Sequence, residues 1–135
     1  VNGVLVDSNV ILDVFENDPE WADWSESQLE EWGDVAPLYI NPVIYTEISI
    51  GFEKIEELEA AVNGCGFRML QIPKESLFLA GKAFLRYRRG KGRKTAPLPD
   101  FYIGAHAAVS KLKLLTRDRR RYRTYFPTVD IIGPE

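Results

Sequence analysis

Short apolar runs alternate with amphipathic stretches along this chain. Residues 3–7 are apolar up to a closing acid, Asp7, and predict a buried strand. Residues 8–17 follow as a helix, with Asp7, Ser8 and Asn9 all able to cap it. Residues 20–32 predict a second helix whose apolar members are Trp21, Trp24, Leu29 and Trp32. Residues 38–40 predict a strand, and Pro42 suits the first turn of the helix after it. Residues 43–61 predict one helix or a broken pair, with Gly51 the weak point and Asn63-Gly64 the stop. Residues 67–72 alternate as a strand. Residues 74–89 are amphipathic, with Leu77, Ala80, Phe84 and Tyr87 on one face. Residues 90–98 predict a basic, glycine-bearing loop, and Pro99 opens a helix to about residue 111. Residues 114–116 and 129–132 predict the last two strands.

Strands alternating with helices predict an α/β domain with a central, mainly parallel sheet of four to five strands. Active sites in such sheets lie at the carboxyl edge of the strands. The 135 residues predict a single domain, 1–135. The single Cys65 excludes an internal disulfide and a cysteine zinc cluster. The single His106 excludes a multi-histidine metal site. Any metal must therefore be held mainly by carboxylates. No apolar run approaches the roughly 20 residues of a membrane helix. Residues 1–7 lack the n-region and h-region of a signal peptide, so a cytoplasmic protein is expected.

Charge divides the chain in two. Residues 1–60 carry fifteen acids and one base, whereas residues 61–135 carry sixteen bases and five acids. Fourteen of those bases fall within residues 82–123, beside only two acids, Asp100 and Asp118. Such a cluster predicts a polyanion-binding surface, most simply for a nucleic acid. A solvated basic face paired with the acidic half would read the same way.

Four acids from four segments are expected at one edge of the sheet. Asp7 ends the first strand, although a helix N-cap would also explain it. Glu47 falls near the start of the helix after the second strand, on its apolar face, where a structural ion pair is the alternative. Asp100 follows Pro99 in the first turn of its helix, where the helix dipole alone would favour an acid. Asp118 lies two residues past Thr116, where a turn aspartate would serve as well. Clustered carboxylates repel one another unless a cation neutralises them. Oxygen ligands suit Mg2+ or Mn2+, ions that organise in-line attack of water on a phosphodiester.

Four stretches then stand together: residues 4–12 (VLVDSNVIL), 45–48 (YTEI), 99–107 (PDFYIGAHA) and 114–118 (LLTRD). In this order they resemble a PIN domain, specifically a VapC-type toxin of a type II toxin–antitoxin pair. The resemblance implies a three-layer α/β/α fold and Mg2+- or Mn2+-dependent endoribonuclease activity. The family's acidic quartet falls on Asp7, Glu47, Asp100 and Asp118, with Asp7, Asp100 and Asp118 expected to bind the metal. Its supporting polar positions fall on Asn9 or Ser8 and on Thr116. Arg89, Lys91, Arg93, Lys94, Arg119, Arg120 and Arg121 are expected to grip RNA phosphates. The resemblance further implies a small VapB-like antitoxin as partner and a homodimer. Gly104 and His106 depart from a helix that is often alanine-rich in the family.

Two other functions fit parts of the sequence. An aspartyl-nucleophile phosphohydrolase would need an Asp-x-Asp after the first strand, and position 9 is Asn. A non-catalytic RNA-binding module would use the basic face but not all four acids. His106 is expected in a packing or surface role, and Cys65 as an inert turn thiol. The tryptophans at 21, 24 and 32 are expected in the core or beside the groove that receives the antitoxin.

Overall fold

A computed structural model describes residues 3–91 and 98–134. Its centre is β1 (Val4–Val6), three residues with no solvent exposure. A strand buried on both faces needs this unbroken apolar run. Both neighbours of β1 run parallel to it: β2 (Leu38–Ile40) on one side and β4 (Lys113–Leu115) on the other. β3 (Arg68–Met69) flanks β2 and β5 (Ile131–Ile132) flanks β4, again in parallel. The sheet order is β3-β2-β1-β4-β5.

Seven helices connect these strands among the described residues. They are α1 (Ser8–Phe15), α2 (Ala22–Gly33), α3 (Pro42–Ser49), α4 (Ile55–Gly64), α5 (Lys74–Lys91), α6 (Leu98–Ser110) and α7 (Arg119–Arg123). The chain steps outward from β1 to β3, then crosses back and steps the other way from β4 to β5. Right-handed connections in opposite directions put the two groups of helices on opposite faces, which makes three layers. α1 packs on α2, and α5 packs on α6.

Three local features differ from the sequence reading or resolve it. The 43–61 stretch is two helices, with α3 ending at Ser49 before Gly51 and α4 beginning at Ile55. α5 continues through Gly90 to Lys91, so its basic end is helical rather than looped. α7 was not expected, because five residues with four arginines show no apolar period. It is held instead by its one apolar member, Tyr122, which is fully buried.

Gly104 of α6 explains how α7 comes close. A Cβ at this position would lie 2.3 Å from the Phe126 ring. The missing side chain lets Phe126, just beyond α7, press onto α6. Phe101 joins the same cluster, with ring centroids 5.7 Å from both Tyr87 and Tyr125 and 6.2 Å from Phe126. His106 is also in the core, 1% exposed, and its Nδ1 accepts from the Asn41 amide at 3.1 Å. Burial pushes its imidazole below the usual pKa, so the neutral ring is the packed form.

Candidate active site

Connections diverge at β1, because the chain leaves it toward β2 on one side and meets β4 on the other. This reversal opens a crevice beyond the carboxyl ends of β1 and β4. Asp7 and Thr116 enter it, each one residue past its strand. The Asp7 N–H donates to the Leu115 carbonyl at 2.9 Å, so the two strand ends are tied together.

Asp7 is 2% exposed and does two things at once. One carboxylate oxygen accepts from the Ser8 N–H at 2.8 Å and caps α1. The other accepts from the Thr116 hydroxyl and from the Tyr122 hydroxyl, each at 2.8 Å. Burial raises its pKa, and the hydrogen bonds from Tyr122, Thr116 and Ser8 oppose that rise. Thr116 also accepts from the Asp118 N–H at 3.1 Å and from the Asn9 amide at 3.4 Å. Its hydroxyl thus gives its one proton to Asp7 and uses both lone pairs. Asn9 in turn accepts from the Arg117 N–H at 3.3 Å. Asn9 and Thr116 therefore stitch the start of α1 to the turn that carries Asp118.

Glu47 comes in from α3. The Ser8 hydroxyl donates to it at 2.8 Å. Burial pushes its carboxyl above the usual range, and the neighbouring Asp7 adds to this. Asp100, in the first turn of α6, is 8% exposed. Burial pushes its carboxyl up to about 6; Arg121 opposes the rise, and Asp7, Glu47 and Asp118 add to it. All four expected acids therefore belong to one electrostatic neighbourhood.

Arg121 lies between two of them. Its guanidinium is 2.9 Å from Asp118 and 3.7 Å from Asp100. Among the described residues, no three acids converge closely enough to hold one ion as they stand. Arg121 supplies the positive charge between Asp100 and Asp118 in this arrangement. Its side chain is 46% exposed, which leaves room for it to turn outward. The donors themselves, all carboxylate oxygens, fit a hard divalent cation.

The other arginines are used unequally. Arg117 turns inward and pairs with the buried Asp13 through two contacts of 2.7 and 3.0 Å. The Ser25 hydroxyl donates to the same carboxylate at 2.7 Å, and the Arg117 guanidinium lies 5.3 Å from the Trp21 ring centroid. Arg119 donates to the carbonyls of Gly133 and Pro134 at 2.8 and 3.1 Å, which ties α7 to the chain after β5. Arg89, Arg120 and Arg121 are exposed. Of the other expected contacts, Arg93 and Lys94 lie outside the described residues, as does the side chain of Lys91.

Sequence reasoning missed Tyr122 and the central place of Arg121. One signal was available. In a short helix opened by Asp118, positions three and four residues later share its face, and those are Arg121 and Tyr122. A larger cavity, about 740 Å³, lies at the opposite edge, beside Lys111, Lys113 and Asp130. It holds none of the four acids and is not the candidate site.

No curated protein matches the chain. Among solved structures, it is similar to a chain of VapBC2 from Rickettsia felis bound to a promoter DNA fragment. That match has a TM-score of 0.73 at 16% identity, over 96% of this chain and 97% of the other. A chain of FitAcB from Neisseria gonorrhoeae gives 0.68 at 23% identity, over 97% of both. A toxin–antitoxin complex from Klebsiella pneumoniae gives 0.68 at 21%, over 98% of both. The PIN domain model matches residues 4–127, and the chain belongs to the PIN domain family.

Proposed function

We propose that this chain is a Mg2+- or Mn2+-dependent endoribonuclease and the toxin of a toxin–antitoxin pair. One observation carries the reading. Four carboxylates from four segments share the crevice at the carboxyl edge, with exposed arginines of α7 beside them. PIN domains generally use divalent metals. Asp7, Asp100 and Asp118 would hold the ion, which supplies Lewis-acid charge to a phosphodiester when bound. Arg121 gives up its place between Asp100 and Asp118 and moves toward the phosphate. Glu47, anchored by Ser8 and with its carboxyl pushed up, is suited to take a proton from the attacking water. Asn9 and Thr116 hold Asp7 and the Asp118 turn in register.

The likeness to chains of VapBC2 and of the Klebsiella pneumoniae toxin–antitoxin complex supports an antitoxin partner for this chain. A homodimer and a cytoplasmic location belong to the same reading. Among the described residues, no helix is long and apolar enough to cross a membrane. The test is cleavage of total RNA and of a small phosphate ester, each with Mg2+, with Mn2+ and with EDTA. RNA cleavage that needs the metal, without ester hydrolysis, is expected. Full activity in EDTA overturns the mechanism. Ester hydrolysis instead would favour the aspartyl-nucleophile alternative, and RNA binding without cleavage the non-catalytic one.

A further inference from the structure

A second cleft, of about 230 Å³, opens directly beside the acids. Tyr87 of α5 and Phe101 of α6 form its floor, both nearly buried, and Tyr125 forms a wall. Thr124, Arg120 and Arg121 stand at its rim. Asp100 and Arg121 line this cleft and the acid site alike, so the two are continuous. The volume falls below the roughly 300–1,000 Å³ of a pocket for a drug-sized ligand, so one planar ring is the natural occupant.

Three features select that ring. Aromatic walls offer stacking surfaces, which accept every base but hold the more strongly stacking ones better, so a modest preference arises without sequence-specific hydrogen bonds. Cations at the rim suit the phosphates on either side of the base, and Arg86, whose guanidinium lies 5.5 Å from the Tyr125 centroid, extends them along α5. The Thr124 hydroxyl stands at the rim, where it can meet the edge of a base. An apolar protein side chain would use the floor but not the flanking arginines.

We propose that the cleft between α5, α6 and α7 receives one unstacked nucleobase of an RNA strand, the base next to the phosphate held at the four acids. The inference rests on the nuclease reading and deepens it. Sequence preference at one position beside the cut then arises in this cleft. The acids act only on the backbone.

Two measurements test it separately from that reading. The first needs no cleavage. A random-sequence 12-nucleotide RNA pool carrying 5-bromouridine is irradiated with the protein in EDTA, and crosslinked residues are identified by mass spectrometry. Crosslinks at Tyr125, Tyr87 or Phe101 are expected, and crosslinks confined to other surfaces overturn the proposal. Thr124→Trp fills the cleft from its exposed rim, and a circular dichroism melt checks its fold. In this variant the crosslinks should disappear, and their persistence overturns the proposal. The second measurement sequences the products of an unmodified pool cut in Mn2+. Wild type should prefer certain bases at one flanking position. Thr124→Trp should flatten that preference and lower kcat/KM by about 5- to 150-fold, the worth of one stacked base. An unchanged preference in folded Thr124→Trp overturns the proposal. If wild type cuts nothing, the nuclease reading fails, while the crosslinks still decide the base site. If folded Thr124→Trp binds and cuts RNA as wild type does, the cleft is not a base site.

Discussion

The Tyr122 hydroxyl donates to Asp7 at 2.8 Å across 115 residues of sequence. The oxygen that accepts it also accepts from Thr116. Two hydroxyls on one carboxylate oxygen fix the plane of that carboxylate, and α7 delivers one of them.

Tyr122→Phe keeps the buried ring and removes only the donor. Asp7 then loses one of its three partners while remaining 2% exposed. The loss should cost about 1–3 kcal/mol of stability. Metal-dependent cleavage should fall roughly 10- to 100-fold, as when a ligand's supporting hydrogen bond is removed. A thermal melt and a cleavage assay check the two effects. Wild-type cleavage in a folded Tyr122→Phe would show that Tyr122 serves packing alone.

Asp7→Asn keeps an oxygen to cap α1 but puts an amide toward Thr116. That hydroxyl oxygen already accepts from the Asp118 N–H and from Asn9. A modest loss of stability is expected, about 1 kcal/mol. Cleavage should fall by at least the roughly 10- to 100-fold expected for Tyr122→Phe. If Asp7 is only a cap, cleavage by the folded variant will match wild type.

Asp100 contributes to the pH dependence without metal in the same direction as Asp7 and Glu47, whose carboxyls burial also raises. Its carboxyl is pushed up to about 6 from an ordinary value of 3.8. Between those values the folded protein holds its proton more tightly than the unfolded chain does. Its contribution is therefore fully present below about 3.8 and is lost as pH rises through about 6. Asp100→Asn removes this loss, so its advantage in Tm should grow from pH 4 to 6 and then level off. His106, pushed the other way by burial, weakens the fold as pH falls below 6.5. That effect is common to both proteins and cancels in the difference. Melts in EDTA at successive pH values check this, and a difference that is flat with pH would contradict it.

Arg117 and Arg120 should behave differently although they are three residues apart. Arg117→Met leaves Asp13 buried without its cation, with Ser25 still donating. The expected loss approaches the low end of the roughly 3–5 kcal/mol for a broken buried pair, because Arg117 is 30% exposed. Its RNA affinity should keep the wild-type salt dependence. Arg120→Gln should melt like wild type and flatten the log–log salt slope of RNA binding by about 0.7. Anisotropy titrations of labelled RNA at several salt concentrations distinguish the two.

Much of this protein was legible along the chain. The run Val4–Val6 read as an interior strand because a strand buried on both faces needs an unbroken apolar run. The acid at its end followed, and so did the alternation of strands and helices that makes the sheet parallel. Asp7, Asp100 and Asp118 were nameable because each sits just past a strand or at the start of a helix, where local pattern determines position. Glu47, in the last turn of α3, was nameable from the apolar face on which it falls.

The division of labour among the arginines was decided only by the tertiary structure. Counting charge treats Arg117, Arg119, Arg120 and Arg121 alike. In the fold, Arg117 meets Asp13, Arg119 meets the carbonyls of Gly133 and Pro134, Arg121 spans Asp100 and Asp118, and Arg120 faces solvent. Phe126 reaches α6 because Gly104 has no side chain to hold it off, and Tyr122, four residues earlier, reaches Asp7. Contacts such as those from Arg117 to Asp13, 104 residues apart, leave no local period in a sequence. They form because a buried carboxylate must find its partners wherever packing brings them.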